Sequence, residues 1–195
     1  MDVDPLEAAD SGDNGHSRLN ARVAITVALL ATFMGICKVK DDNIVQAMQQ
    51  AQADKIDHWA FYQARNIRQD VAQSEVATLT LQRRVTAAAD RPSVDSSIAR
   101  FQALVKDQAV KKDSLRVQAE QDQKTYDSLN YRDDQFDLSD ALLALAISLL
   151  AVTSLTRKEW LFWIALIPTV FGALMGLAGL VGLPLHPDSI ARLLS

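Results

Sequence analysis

Three stretches of this chain, residues 23–37, 141–156 and 160–185, contain no Asp, Glu, Lys or Arg. Nothing else in the sequence restricts the fold so severely. A segment surrounded by lipid must bond its own backbone, and a helix is the way a single run can do so. Between the first and second runs, residues 38–140 hold 32 of the 44 charged side chains. The net charge of −4 and the mean hydropathy of zero therefore average two unlike parts. The polar insert has no Gly, one Pro, and a long-helix composition rich in Ala, Gln, Asp and Arg. Its 15 basic and 17 acidic residues form no sustained positive stripe, which argues against nucleic-acid binding. The expected fold class is all-α: three transmembrane helices with a long antiparallel coiled-coil hairpin inserted between the first and second.

The boundaries follow from charge and breakers. Residues 1–21 read as an acidic disordered tail, with Asp2, Asp4, Glu7, Asp10 and Asp13 against Arg18, and with Gly12, Asn14, Gly15 and Ser17 disfavouring a helix. Transmembrane helix 1 is placed at 22–39. Its 15 uncharged residues fall short of the roughly 20 that cross a bilayer, so Arg22, Lys38 and Lys40 must snorkel. Met34-Gly35-Ile36-Cys37-Lys38 lacks a small-x-small cleavage site, so an uncleaved signal anchor is expected. Cys37 is the sole cysteine, leaving no intrachain disulfide and no zinc set.

Transmembrane helix 2 is placed at 141–156, and Arg157-Lys158-Glu159 leaves room only for a tight turn into transmembrane helix 3 at 160–185. Trp160 and Trp163 suit an interfacial belt, Pro168 predicts a kink, and Pro184 and Pro187 end the helix before a short tail at 186–195. Gly172, Gly176 and Gly179 form a small-residue stripe with a GxxxG spacing that lets backbones approach closely. The motif alone does not choose between packing on the other two spans and packing on another copy. No span carries an ionisable residue at its centre, which lowers the case for a pump acting alone and leaves an oligomeric pore open.

Within 40–140 the one strong breaker is Asp90-Arg91-Pro92-Ser93, so a turn is expected near 90–93 with Asp90 or Ser93 as cap. The second arm keeps a 4–3 spacing through Val94, Ile98, Phe101, Val105, Gln108, Lys112, Leu115, Ala119, Asp122, Tyr126, Leu129, Asp133 and Phe136, continuing to Leu143, Ile147 and Leu150. The first arm offers a weaker stripe, Ala60, Ala64, Ile67, Val71, Ser74, Thr78, Leu81 and Val85. Nearer the first span, Ile44, Met48, Ile56 and Trp59 fit a different phase, which reads as a stutter. The seam residues expected to carry interaction are Trp59, Tyr62, Ile67, Val71, Leu81, Ile98, Phe101, Leu115, Tyr126 and Leu129. A two-helix hairpin buries little apolar area, so further helices from copies or partners are expected to cover it.

Asp54, Asp57 and His58 share one helical face. No second histidine, HExxH or Cys-x-x-Cys accompanies them, so an aromatic and salt-bridge lock between the arms is expected, with Trp59 near Lys124 and Tyr126. The sequence offers no phosphate loop, nucleophile elbow or paired catalytic carboxylates. The expectation is a non-enzymatic protein with no catalytic, metal or cofactor-binding residues and no cofactor.

The run Ala53–Arg68, with Asp-x-Trp-Ala-x-Tyr-Gln-Ala-x-x-Ile-Arg at 57–68, resembles the signature of a bacterial membrane family catalogued as domain of unknown function 4337. The order of tail, span, insert and paired spans is similar along the whole chain. The resemblance implies a bacterial inner-membrane protein and brings no catalytic residues. Three spans put Arg18, Arg22, Arg157 and Lys158 on one side, and the positive-inside rule then favours a periplasmic hairpin. The expected partners are membrane lipids and further copies of the chain in a homo-oligomer or scaffold. The rival readings are an accessory subunit of a larger membrane complex and an oligomeric pore or transport component.

Overall fold

The computed structural model describes residues 5–183, with side chains from Arg18 onward. Three helices account for nearly all of it: α1 (Pro5–Val85), α2 (Arg91–Thr156) and α3 (Glu159–Val181), and no strand occurs among the described residues. All three are long and apolar enough to cross a membrane. The contacts divide the chain into two units. Unit 1 takes the residues up to Gln46 and those from Ser128, and unit 2 spans Ala47–Asp127.

Three boundaries differ from those expected. α1 begins at Pro5, so most of the stretch expected as a disordered tail is helical. Proline is tolerated in a first helical turn, and extending an existing helix costs far less than nucleating a new one. The break between α1 and α2 falls at 86–90 rather than 90–93, and Pro92 sits in the first turn of α2. In a continuous helix the Pro92 ring would clash with the carbonyl four residues back, at Ala88, so the interruption is displaced upstream of the proline. Backbone bonds close the turn, with Asp90 N–H donating to Ala87 O at 3.0 Å and Ser93 N–H to Asp90 O at 3.2 Å. At the other end α3 stops at Val181, before either proline. Gly182 takes a left-handed φ of 76°, and both its N–H and that of Leu183 donate to Ala178 O. Only glycine enters that region freely, which makes Gly182 the C-terminal stop. Finally, the 186–195 tail lies outside the described residues.

Unit 1 is built around Val23, Leu30, Leu143, Ala146, Leu150 and Ala165, so each helix contributes to one apolar cluster. Phe33, Ile147 and Phe162 pack against it. The turn from α2 to α3 is as tight as its three residues suggest. Arg157 takes φ 55°, its N–H donates to Thr153 O at 2.9 Å, and Lys158 is the extended N-cap. A non-glycine residue there carries a strain of about 1 kcal/mol.

Unit 2 joins two helical stretches by polar contacts. Lys55 donates to Gln123 (2.9 Å), His58 meets Asp122 (2.6 Å), Lys112 donates to Asn66 (3.0 Å), Arg65 donates to Gln108 (3.1 Å), and Arg83 pairs with Asp95.

Candidate functional site

Burial along α1 in unit 2 is centred on a single 4–3 spacing, Met48, Ala51, Lys55, His58, Tyr62, Arg65, Gln69, Ala72, Val76 and Leu79, with Gln52, Asp54, Asn66 and Glu75 half-buried on its flanks. Ile44 and Met48 share this phase, which runs on without a stutter, whereas Ile56 and Trp59, expected with them, are exposed. The expected stripe from Ala60 to Val85 is not the seam. Ile67, Val71 and Leu81 are 62%, 64% and 61% exposed, whereas neighbouring Ala72 is 1% exposed. Ala60, Ala64, Ser74, Thr78 and Val85 are exposed with them. The two stripes differ by two positions, about 200° around a helix, so the second lies nearly opposite the first.

The difference has a chemical cause. The true seam is polar at Lys55, His58, Arg65 and Gln69, and apolar periodicity does not register such positions. Three of the four bond to α2: Lys55 to Gln123, His58 to Asp122, and Arg65 to Gln108. The signal that could have found them is the uninterrupted 4–3 spacing itself, read through the polar residues. On α2 the side chains expected in the seam are withdrawn from solvent. Ile98, Phe101, Leu115, Tyr126 and Leu129 are half-buried, and Gln108 and Ala119 are buried.

The aromatic knot is arranged differently from the expectation. Trp59 meets Tyr62 edge-on with ring centroids 5.3 Å apart, and Lys112 lies 5.8 Å from the Tyr62 ring centroid. Because the turn is earlier than 91–92, each α1 position meets an α2 partner nearer the turn, and the hydrogen bond forms between His58 and Asp122. Asp54 accepts from Gln50 at 2.8 Å, and Asp57 is exposed. Toward the turn, hydrogen bonding from Arg83 holds the exposed Asp95 carboxyl below the usual carboxylate range.

The small residues of α3 face the interior of unit 1. A Cβ on Gly172 would come within 2.9 Å of the Leu143 side chain, and one on Gly179 within 2.9 Å of the Phe136 ring. At Gly176 it would meet Ser139 Oγ at 2.7 Å and the Phe33 ring at 2.8 Å. These glycines let α3 lie against α2, with Phe33 of α1 filling the remaining space. Ser139 Oγ donates to Gly172 O at 2.8 Å, so the close approach carries an interhelical hydrogen bond.

Unit 1 also holds a carboxyl cluster that the sequence pattern does not announce. Asp41 is buried, Lys38 Nζ donates to its Oδ2 at 2.9 Å, and Asp133 and Asp137 of α2 lie close enough to feel its charge. Desolvation first, then Asp41 and Asp137, push the Asp133 carboxyl up to about 6. Asp137 is also raised, by desolvation and then by Asp41. The one sequence sign was Asp133, an acid standing at a seam position.

Residues 19–182 match the model of a family described as Domain of unknown function (DUF4337). The chain belongs to this family. No curated protein matches the chain, and no solved structure does. The DUF4337 match therefore covers both units: the three candidate spans and the whole polar insert.

Proposed function

We propose that this DUF4337 chain is a non-enzymatic, multi-pass membrane protein that assembles with further copies of itself into a homo-oligomer or scaffold. The insert acts as an antiparallel coiled-coil hairpin, a reading supported by the opposite order of the contacts from Lys55–Gln123 to Arg83–Asp95. One observation carries the assembly. A second heptad-spaced stripe on α1, from Ala60 and Ala64 to Leu81 and Val85, is exposed along its whole length. Solvated helix faces do not keep an apolar residue or Ala at six of eight successive 4–3 positions without a packing reason. Ala60 and Ala64 leave room for a second helix to approach, and a stripe without charge suits a copy of itself. The setting we infer is a bacterial inner membrane with the hairpin on the periplasmic side, supported by Arg18, Arg22, Arg157 and Lys158 around the other ends of the spans.

The test is the native mass of the protein extracted with its surrounding lipid. A whole-number multiple of 21.4 kDa is expected, falling toward a single chain in Val71→Glu and Leu81→Glu variants. A single-chain mass for the unaltered protein would overturn self-assembly. A larger mass containing another polypeptide would also overturn it, in favour of an accessory subunit.

A further inference from the structure

We infer that the exposed stripe of α1 takes a second copy of this chain, running antiparallel to the first and held in a facing bilayer. The inference rests on the self-assembly proposed above and adds the partner's direction, register and setting. In heptad terms Ala64, Val71, Thr78 and Val85 repeat at one kind of stripe position, and Ala60, Ile67, Ser74 and Leu81 at the other. The flanks of the stripe carry charge, with Arg68 and Glu75 on one side and Asp70 and Arg84 on the other. Arg68 is exposed and Glu75 half-buried, and neither makes a hydrogen bond or ion pair among the described residues. They stand about 10 Å apart along the helix axis and do not pair with each other.

Reversing one helix puts the two kinds of stripe position in a common layer and sets like flanks side by side. Centred between Ala72 and Gln73, such a pair uses the whole stripe. Ala60 meets the second copy's Val85 and Ala64 meets its Leu81, small against large. On one flank Arg68 comes beside the second copy's Glu75, and symmetry makes that ion pair twice. Phe61, exposed in the single chain, is covered along the same flank. On the other flank Asp70 faces Ala77 and Arg84 faces Gln63, so no like charges meet. Antiparallel registers one heptad away bring Glu75 against Glu75 or Arg68 against Arg68 and leave part of the stripe bare. A parallel, in-register pair sets Asp70 beside the second copy's Glu75, a repulsion made twice. Exposed ion pairs add little affinity, but like charges forced together reject a wrong arrangement, so charge fixes direction while the apolar stripe supplies attraction.

Direction decides which copy supplies the partner. α1 is one unbroken helix from Pro5 to Val85, and its membrane run, 23–37, precedes the stripe. Antiparallel partners therefore carry their membrane runs at opposite ends of the shared contact. A neighbour in the same bilayer presents α1 in the same direction and meets the Asp70–Glu75 repulsion, whereas a copy in a facing bilayer presents it reversed. One such contact is weak, with Ser74 and Thr78 near its middle, but many pairs between the same two bilayers act together. The function assigned is adhesion between membranes that bear the same chain.

The experiment places the full chain in phosphatidylcholine vesicles and reads their clustering by light scattering. Vesicles bearing the unaltered chain are expected to cluster. Arg68→Glu vesicles alone and Glu75→Arg vesicles alone are expected to lose clustering, and the two populations mixed are expected to regain it. Thermal unfolding of each variant should match the unaltered chain, because neither side chain has a partner within the described residues. A second test uses Cys37→Ser in every chain. Ala64→Cys vesicles mixed with Leu81→Cys vesicles should then give a disulfide-linked dimer under mild oxidation, and Ala64→Cys vesicles alone should give none. Unaltered vesicles that stay apart, mixed variants that stay apart, or a disulfide between two Ala64→Cys chains overturns the antiparallel contact. The native mass separates this failure from failure of the reading beneath it. A whole-number multiple then keeps self-assembly within one membrane, and a single-chain mass removes both.

Discussion

The α1 and α2 stretches of unit 2 line the same interface with different chemistry. On α2 the buried stripe is mostly apolar or aromatic, from Val94 and Ile98 through Phe101, Leu115 and Tyr126. On α1 its middle is Lys55, His58, Arg65 and Gln69, while Ile67, Val71 and Leu81 look outward. Helix pairing thus depends on spacing rather than on hydrophobicity alone. A polar residue holds a seam position when the facing helix supplies its partner, as Asp122 does for His58. Unit 1 makes the complementary point. There the interface is held by apolar packing and glycine contacts, with a single short cluster of charge.

These contrasts can be broken experimentally. The largest effect is expected at Gly176→Leu, where even a Cβ would lie within 2.8 Å of Phe33 and closer still to Ser139. A loss of about 4 kcal/mol or more in an unfolding titration is the expectation. Tolerance of leucine there would mean that α3 does not lie against α2 as described. Next comes a pair of adjacent substitutions that separates the two stripes. Ala72→Asp buries a charge and should cost about 3 kcal/mol, whereas Val71→Asp should change unfolding of the single chain by no more than about 0.5 kcal/mol. Equal costs would return the seam to the Ile67–Val71 phase.

A smaller effect sharpens the polar side of the comparison. His58→Leu leaves Asp122 half-buried without its partner and should cost about 1–2 kcal/mol. Adding Asp122→Leu should recover most of that loss, because a matched apolar pair can replace a hydrogen-bonded polar pair. A double variant no better than the single one would show that His58 and Asp122 do not face each other. The smallest effect lies in the α2–α3 turn. Arg157→Gly relieves a left-handed φ of 55° and should stabilise unit 1 by about 0.5 kcal/mol, read as a slightly higher unfolding temperature.

What the sequence determined by itself was whatever depends on the chemistry of consecutive residues. Uncharged runs against lipid mark three helices, and the 141–156 and 160–185 runs differ little from the C-terminal part of α2 and from α3. Pro92 announces a break, and the 4–3 stripe of the second arm names side chains that are withdrawn from solvent. Tertiary structure alone decided whatever depends on the facing element. Only α2 reveals that Lys55, His58 and Arg65 are withdrawn from solvent, because burying a polar group is costly unless a partner satisfies it. The glycine stripe of α3 is equally mute about its partner until Leu143, Ser139 and Phe136 are in place. Asp41 and Asp133 lie more than ninety residues apart, and one carboxyl shifts another's proton affinity only through space, once folding has brought the two together.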